Sequence, residues 1–279
     1  MTAPEVSIVI PAGRTDIVNR CLDSLVKMDY KDFEAIVVVK QGLKYSYPDG
    51  RVTVVEQDGR GVSNARNCGI SKARGKIIAF TDDDCVVSRM WLGSLLKAFD
   101  DPEVGGAGSI REAYNAEEPL ASMWDFSYLT MGSLSDKYMY LSRRDIYLCT
   151  SSAAFRADII KCIGGFDESL PSGEDYDLSR RVKESGFKLA LVPEARIKHE
   201  HPATWEDMIR QQMWFARGDI GLARKYSKKG IRLRLLMSVP FYSLLSIPNA
   251  LKIDGMKNKV VFPVFIFVKC GSRFLGSIV

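Results

Sequence analysis

Apolar and polar positions follow two different rhythms along this chain, and the switches between them mark its elements. Val6-Ser7-Ile8-Val9-Ile10, Phe33–Val39 and Val52–Glu56 are short runs rich in β-branched residues and read as strands. Between the first two, Ile17, Val18, Cys21, Leu22, Leu25 and Val26 recur at helical spacing, which predicts a helix from about Asp16 to Lys27. Gly61-Val62-Ser63-Asn64-Ala65-Arg66 reads as a helix start, Gly75–Phe80 as a buried strand and Trp91–Phe99 as the next helix. Gly105–Ile110 is a short strand entry, and Cys149–Arg156 is a strand with a short helix behind it. A further helix opens at the acidic Gly173-Glu174-Asp175, with Leu178, Val182 and Phe187 on its apolar face. Lys188–Val192 and Ala195–His201 read as two more strands, the second carrying His199 and His201 on one side. Alternating strands and helices predict βαβ units, a parallel sheet, and ligands gathered beyond the carboxyl ends of its strands. Glu112–Asp145 has no clean period but holds Trp124, Phe126, Tyr128, Tyr138 and Tyr140, which predicts a helix-and-loop excursion over the site.

One of the buried strands ends in Thr81-Asp82-Asp83-Asp84-Cys85. On an extended backbone, residues i and i+2 point the same way, so Asp82 and Asp84 are placed to share a cation while Asp83 faces elsewhere. Like charges this close call for a counter-ion, and hard oxygen ligands favour Mg²⁺ or Mn²⁺. A polar turn or a helix N-terminus accounts for the same acids, and the pattern alone leaves both readings open.

With 279 residues, the chain is long enough for one large domain, or a domain and an appendage. No linker divides residues 1–201. Six scattered cysteines without a CxxC pair exclude a zinc knuckle and a dense disulfide framework, and suit a reducing compartment. Val6–Ile10 reads as a first strand, since no basic segment precedes it as in a signal peptide. The net charge of +5 hides an asymmetry: residues 202–279 hold 13 Lys and Arg against 4 Asp and Glu, and the rest is net acidic. The basic residues border apolar runs and do not form a face with stacking aromatics, which argues against nucleic acid and for an anionic membrane surface. Leu235–Leu251 is uncharged but interrupted by Pro240 and Pro248, and Val260–Val268 contains Pro263. Neither reaches the roughly 20 apolar residues of a spanning helix. With Lys228, Lys229, Arg232, Arg234, Lys257 and Lys259 flanking them, an interfacial anchor is expected. Cover for the domain's own core, or an oligomer interface, is the alternative.

Taken in order, Pro11–Arg14, Arg66-Asn67, Thr81–Asp84, Gly164-Gly165-Phe166-Asp167-Glu168 and Gly173-Glu174-Asp175 resemble the motifs of family 2 glycosyltransferases. The resemblance covers roughly residues 5–220. It implies an α/β GT-A fold, a single mixed, mostly parallel sheet flanked by helices, over residues 1–220. Residues 221–279 are then a helical membrane-associated appendage, which places the protein at the cytoplasmic face of a membrane. The implied activity is inverting, metal-dependent transfer of a single sugar from a nucleotide-sugar donor to a hydroxyl acceptor, a lipid-linked one if the tail lies on a membrane.

Carried over residue by residue, the resemblance makes Asp84 a ligand of Mn²⁺ or Mg²⁺, with His199 or His201 as a further ligand. Asp82 then lies near the ribose or the cation, and Pro11, Ala12, Arg14, Arg66 and Asp83 belong to the nucleotide pocket. Asp175 takes the place of the general base, tuned by Glu174. Asp177 is expected to be structural, Trp124 to pack or to touch the acceptor, and Trp214 to pack beneath the acceptor pocket. Three departures stand out. Val37-Val38-Val39 runs into Lys40-Gln41-Gly42, where the family commonly has an acidic pair for base and ribose, so uridine recognition does not carry over. The first loop reads Pro-Ala-Gly-Arg, and Arg210-Gln211-Gln212-Met213-Trp214 lacks the Gln-x-x-Arg-Trp of processive members. A degenerate scaffold binding nucleotide without catalysis, and a Mg²⁺ phosphohydrolase, are the competing classes.

Overall fold

The computed structural model describes residues 3–130, 139–141, 147–251 and 256–279, with the backbone alone at 125–130 and 256–257. Tyr138 falls outside the described residues, as do the side chains of Phe126, Tyr128 and Lys257. The chain packs as two compact units: Met1–Glu112, Ser135–Glu168 and Glu174–His199 form one, and Ala113–Leu134, Ser169–Gly173 and Glu200–Val279 the other. The boundary at residue 220 that the resemblance implied falls within a helix, Trp205–Lys225.

The first unit opens as read, with β1 (Val6–Ala12), α1 (Val18–Val26), β2 (Phe33–Val39), β3 (Val52–Glu56), α2 (Val62–Lys72) and β4 (Ile77–Thr81). Then come β5 (Cys85–Val87), α3 (Trp91–Leu96) and β6 (Val104–Ala113). After α4 (Pro119–Thr130), which belongs to the second unit, follow β7 (Met139–Tyr140), β8 (Ser152–Arg156), α5 (Ala157–Cys162), α6 (Glu174–Glu184) and β9 (Lys188–His199). The strand order is β3-β2-β1-β4-β8-β6-β9-β5, with β7 paired to β9. β1 is buried along nearly its whole length because both of its faces are covered. Val6, Ile8, Ile10 and Ala12 pack with α1 and α3, whereas Val9 joins Ile36, Val38, Ile78 and Phe80 against α2, α5 and α6. That two-sided burial is why these strands read as unbroken apolar runs.

Three expectations are corrected. The sheet is mixed but not mostly parallel: among the described residues the β3–β2, β2–β1 and β1–β4 pairings are parallel, while β4–β8, β8–β6, β9–β5 and β9–β7 are antiparallel. A buried apolar run does not encode its direction. The two strands expected over 188–201 are one, β9. Pro193 lies between the stretch that pairs with β7 at Ala190 and Leu191 and the one that pairs with β5 at Ile197–His199. The first loop begins at Gly13, since Pro11 and Ala12 still pair with Val38 and Val39. The β1–β4 register has already ended at Val9–Phe80, where a residue without an N–H can follow.

In the second unit, α7 (Trp205–Lys225), α8 (Ile231–Ala250) and α9 (Met256–Gly276) pack with α4. Thr204 caps α7 by accepting the Asp207 N–H at 3.1 Å. Trp124 and Met123 of α4, Met208 of α7 and Phe262, Phe265 and Ile266 of α9 form its core. Asp219 of α7 binds Arg273 of α9 through both carboxylate oxygens, at 2.6 and 2.8 Å. One charge of the basic tail is therefore used within the fold.

Candidate active site

The acidic triplet is a turn. The Cys85 N–H donates to the Asp82 carbonyl at 3.1 Å, so β4 and β5 are joined by a four-residue β-turn. The extended-strand argument fails in its geometry, yet Asp82 and Asp84 do converge. β5 pairs antiparallel with the end of β9, placing Cys85 opposite His199. Ligand atoms of Asp82, Asp84, Cys85 and His199 lie within 4.8 Å of one another, and His199 Nε2 is 3.4 Å from Asp84 Oδ1. Two carboxylates and an imidazole suit Mn²⁺ or Mg²⁺. The buried Cys85 thiol is pushed up by burial and by Asp82 and Asp84.

His201 is not in this group. β9 ends at His199, so the alternation that put both histidines on one side stops before His201. In the second unit, the His201 ring stacks on Trp124 at 5.4 Å, and its backbone N–H donates to Asn115 Oδ1 at 3.0 Å. Trp124 itself is a core residue, 3% exposed, with the Lys269 ammonium 4.2 Å from its ring. Trp214, expected to pack, is 39% exposed.

Asp83, within the same turn, is buried. It accepts the Arg14 backbone N–H at 2.9 Å and so ties the first loop to the triplet. The Arg14 guanidinium reaches Asp84 Oδ2 at 2.9 Å. Burial raises the Asp83 carboxyl to about 6, partly offset by the Arg14 N–H. Burial and then Asp82 raise Asp84 to about 6 as well. These are the like charges for which a cation is the natural counter-ion. Beside them opens a groove of about 490 Å³, lined by Gly13, Arg14, Thr15, Asp16, Lys40 and Gln41 among others, at the carboxyl ends of β1 and β2. Thr15 and Asp16 were not among the expected pocket residues, whereas Lys40 and Gln41 stand where the family's acidic pair would be; a place after parallel strands was the signal available for all four.

On the other side lies α6. Gly173, at φ +79°, turns the chain into a helix whose first turn carries Glu174, Asp175 and Asp177. Asp177 is fully buried and holds Arg181, which also donates to the carbonyls of Ile163 and Gly165 and so fixes the Gly164-Gly165 turn, a structural role as expected. Asn67 clamps the same loop, donating to Glu168 and to the Phe166 carbonyl and accepting the Phe166 N–H. Arg66 connects the two halves of the site. It is 3% exposed, with Nη2 2.9 Å from Asp82 and Nη1 2.6 Å from Glu174. The half-buried Asp175 is raised to about 7, first by burial and then by Glu174, with Arg66 and Arg111 pulling the other way. Arg111, at the end of β6 and 2.9 Å from Cys149 Sγ, was not anticipated.

The profile of the family described as "Glycosyltransferase like family 2" matches residues 4–214, most of the chain. The chain belongs to glycosyltransferase family 2. It is 32% identical over 172 residues to a pre-mycofactocin glycosyltransferase of Mycobacterium tuberculosis, an overlap of 61% of this chain and 36% of that one. It is 25% identical over 248 residues to the probable glycosyltransferase YdaM of Bacillus subtilis, 83% of this chain and 59% of that one. The chain thus spans less than two thirds of the length of either relative. Among solved structures, the mannosyltransferase PcManGT of Pyrobaculum calidifontis, in complex with GDP-Man and Mn²⁺, superposes with a TM-score of 0.67 at 15% identity, over 100% of this chain and 87% of that one. TarS of S. aureus with UDP-GlcNAc gives 0.54 at 15% identity, over 98% and 90%. These likenesses support the GT-A fold.

Proposed function

We propose that this family 2 domain is an inverting, metal-dependent glycosyltransferase that moves one sugar from a nucleotide-sugar donor to a hydroxyl acceptor. The observation that carries the reading is the bridge from Asp82 through Arg66 to Glu174, which joins a cation-ready cluster to a carboxyl poised near neutrality. Asp82, Asp84 and His199 are the residues that would hold Mn²⁺ or Mg²⁺. A bound cation would neutralise the charge developing on the leaving diphosphate. Asp175, with its pKa near 7, takes the proton from the attacking hydroxyl, which is the range in which a base is both ionised and basic. A single base with no nucleophile required gives direct displacement, and hence inversion.

The groove beside Arg14 and Lys40 supports its use as the site of the nucleotide base. It offers Lys40 and Gln41 instead of an acidic pair, and the fold does not choose the base, since one structural neighbour is a complex with GDP-Man and another with UDP-GlcNAc. Calorimetry with UDP, GDP and dTDP, each with and without Mn²⁺, followed by a nucleotide-sugar turnover screen, tests the reading. Absence of metal-enhanced binding to all three would leave the degenerate-scaffold reading in its place.

We further propose that the second unit lies on an anionic membrane at the cytoplasmic face and that the acceptor is lipid-linked. Among the described residues, no helix is long and apolar enough to cross a membrane. α8 nevertheless shows solvent an apolar stripe of Leu233, Leu236, Met237, Phe241 and Leu244, up to 67% exposed. Exposed Lys228, Lys229, Arg232 and Arg234 stand at its start. An exposed apolar stripe with a basic end suits an in-plane anchor on anionic lipid.

A further inference from the structure

We infer that Arg66 is a positioning residue that sets the cation-side carboxylate and the Glu174–Asp175 pair in register, and that it makes no contact with the nucleotide. The inference rests on the reading of Asp175 as the base. The family resemblance had placed Arg66 in the nucleotide pocket, and the geometry points elsewhere. Both terminal nitrogens are engaged by carboxylates, one from the β4–β5 turn and one from α6. The guanidinium carbon lies 5.5 Å from the centre of the Phe166 ring, in the loop that Asn67, the next residue of α2, clamps in place. Nε is buried and has no hydrogen-bond partner among the described residues. To reach a phosphate or a base, Arg66 would have to abandon a buried ion pair and leave a carboxylate uncompensated, which is costly. A planar fork that meets two acids from different elements also fixes the separation of those elements, which a lysine cannot do.

Its electrostatic role follows from the same contacts. The charged and titratable groups facing Asp175 are Glu174, Arg66, Arg111 and Cys149. Without Arg66, the Glu174 charge would act on Asp175 with one positive charge fewer to oppose it, beside Arg111 and the Tyr176 N–H that donates to its Oδ1 at 2.8 Å. The acid limb of the rate profile would then move to higher pH.

The test compares Arg66→Lys, Arg66→Met, Glu174→Gln and the double variant Arg66→Met/Glu174→Gln by thermal melting, by Mn²⁺–nucleotide calorimetry, and by transfer rate from about pH 5.5 to about 9. In Arg66→Met, kcat falls by about 100-fold, the loss expected for a misplaced catalytic group, while nucleotide affinity is kept and the acid limb rises. Arg66→Lys recovers part of the rate. The double variant melts above Arg66→Met, because the stranded Glu174 charge is gone. If Arg66→Met does not fold, the double variant carries the kinetic and binding tests. A tenfold loss of nucleotide affinity with kcat intact would make Arg66 a nucleotide ligand after all. An unchanged rate and acid limb, or a double variant melting no higher than Arg66→Met, would also overturn the inference. If the wild type transfers no sugar, the glycosyltransferase reading fails by itself, and the melting comparison still decides whether Arg66 joins the two carboxylates.

Discussion

Replacing Asp175 by Asn separates its proposed chemistry from its packing, because the two effects have opposite signs. The carboxyl is raised from its usual 3.8 to about 7, by burial first and the Glu174 charge second. Its charged form is therefore penalised in the folded state by at most about 4 kcal/mol, and by roughly 1–2 kcal/mol once its partial exposure is allowed for. Because the folded-state pKa is the higher one, the native protein holds the extra proton between about pH 4 and 7, and stability falls as pH rises through that window. Asn carries no charge to penalise. Asp175→Asn is thus expected to melt about 2–6 °C higher than wild type at pH 8, with the difference vanishing near pH 4.

The same substitution removes the proton acceptor. General bases contribute about 10²- to 10⁴-fold, so kcat should fall by about 10³-fold, with nucleotide affinity in the presence of Mn²⁺ unchanged. In the wild type, kcat/KM should decline below pH 7 as Asp175 is protonated. Melting curves at pH 8 and near pH 4, rates across the pH range and calorimetry with Mn²⁺ and nucleotide check these expectations. A variant that keeps more than about a tenth of wild-type turnover would refute the assignment of Asp175 as base. So would a wild-type rate that is flat from about pH 5.5 to 8.

Other outcomes follow from the same geometry. Asp84→Ala should abolish the Mn²⁺ enhancement of nucleotide binding, and His199→Ala should weaken it by about 10-fold, both read by calorimetry. His201→Ala should leave metal binding alone and cost about 1–2 kcal/mol by chemical denaturation, through the lost stack on Trp124. Gly165→Ala should destabilise by about 2 kcal/mol or more in the same assay, because φ is +67° and the new Cβ would sit 2.5 Å from Asn67 Oδ1. Phe241→Glu with Leu244→Glu should reduce co-flotation with anionic vesicles while leaving the melting temperature unchanged, since both residues are more than half exposed. Equal binding by the doubly charged variant would refute α8 as the anchor.

Much of the first unit was legible because its strands are buried on both faces and its helices carry one apolar stripe. Val6–Ile10, Phe33–Val39 and Val52–Glu56 appear as strands almost residue for residue. Strand direction was not legible, since a run such as Ser152–Arg156 packs equally well either way until its connections are known. Nor was the second unit. α4 belongs with α7, α8 and α9 through contacts such as Trp124–Phe265, between residues far apart in the chain, and no local period reports them. Arg66 was noticed for its motif, but its partners come from two other elements, which the spacing of Arg66-Asn67 could not reveal.

The histidines show most clearly where local pattern stops being informative. His199 and His201 have the same parity, so alternation treats them alike. What separates them is β5, three residues long and too short for any period to announce. By pairing Cys85 with His199, it brings the imidazole to Asp84 and ends the ladder there. Two residues later the backbone binds Asn115, and the second ring joins a different core. A cation site assembled by one short antiparallel pairing should be lost when that pairing is broken, even with all its ligands intact. Val86→Pro tests this directly, since Val86 is the middle residue of β5, opposite Lys198, and proline removes an N–H from the strand. Loss of Mn²⁺ affinity in a variant that still folds would show that the ladder, beyond the ligands themselves, makes the site. Retained affinity would show that the Asp82–Cys85 turn holds the cation without it.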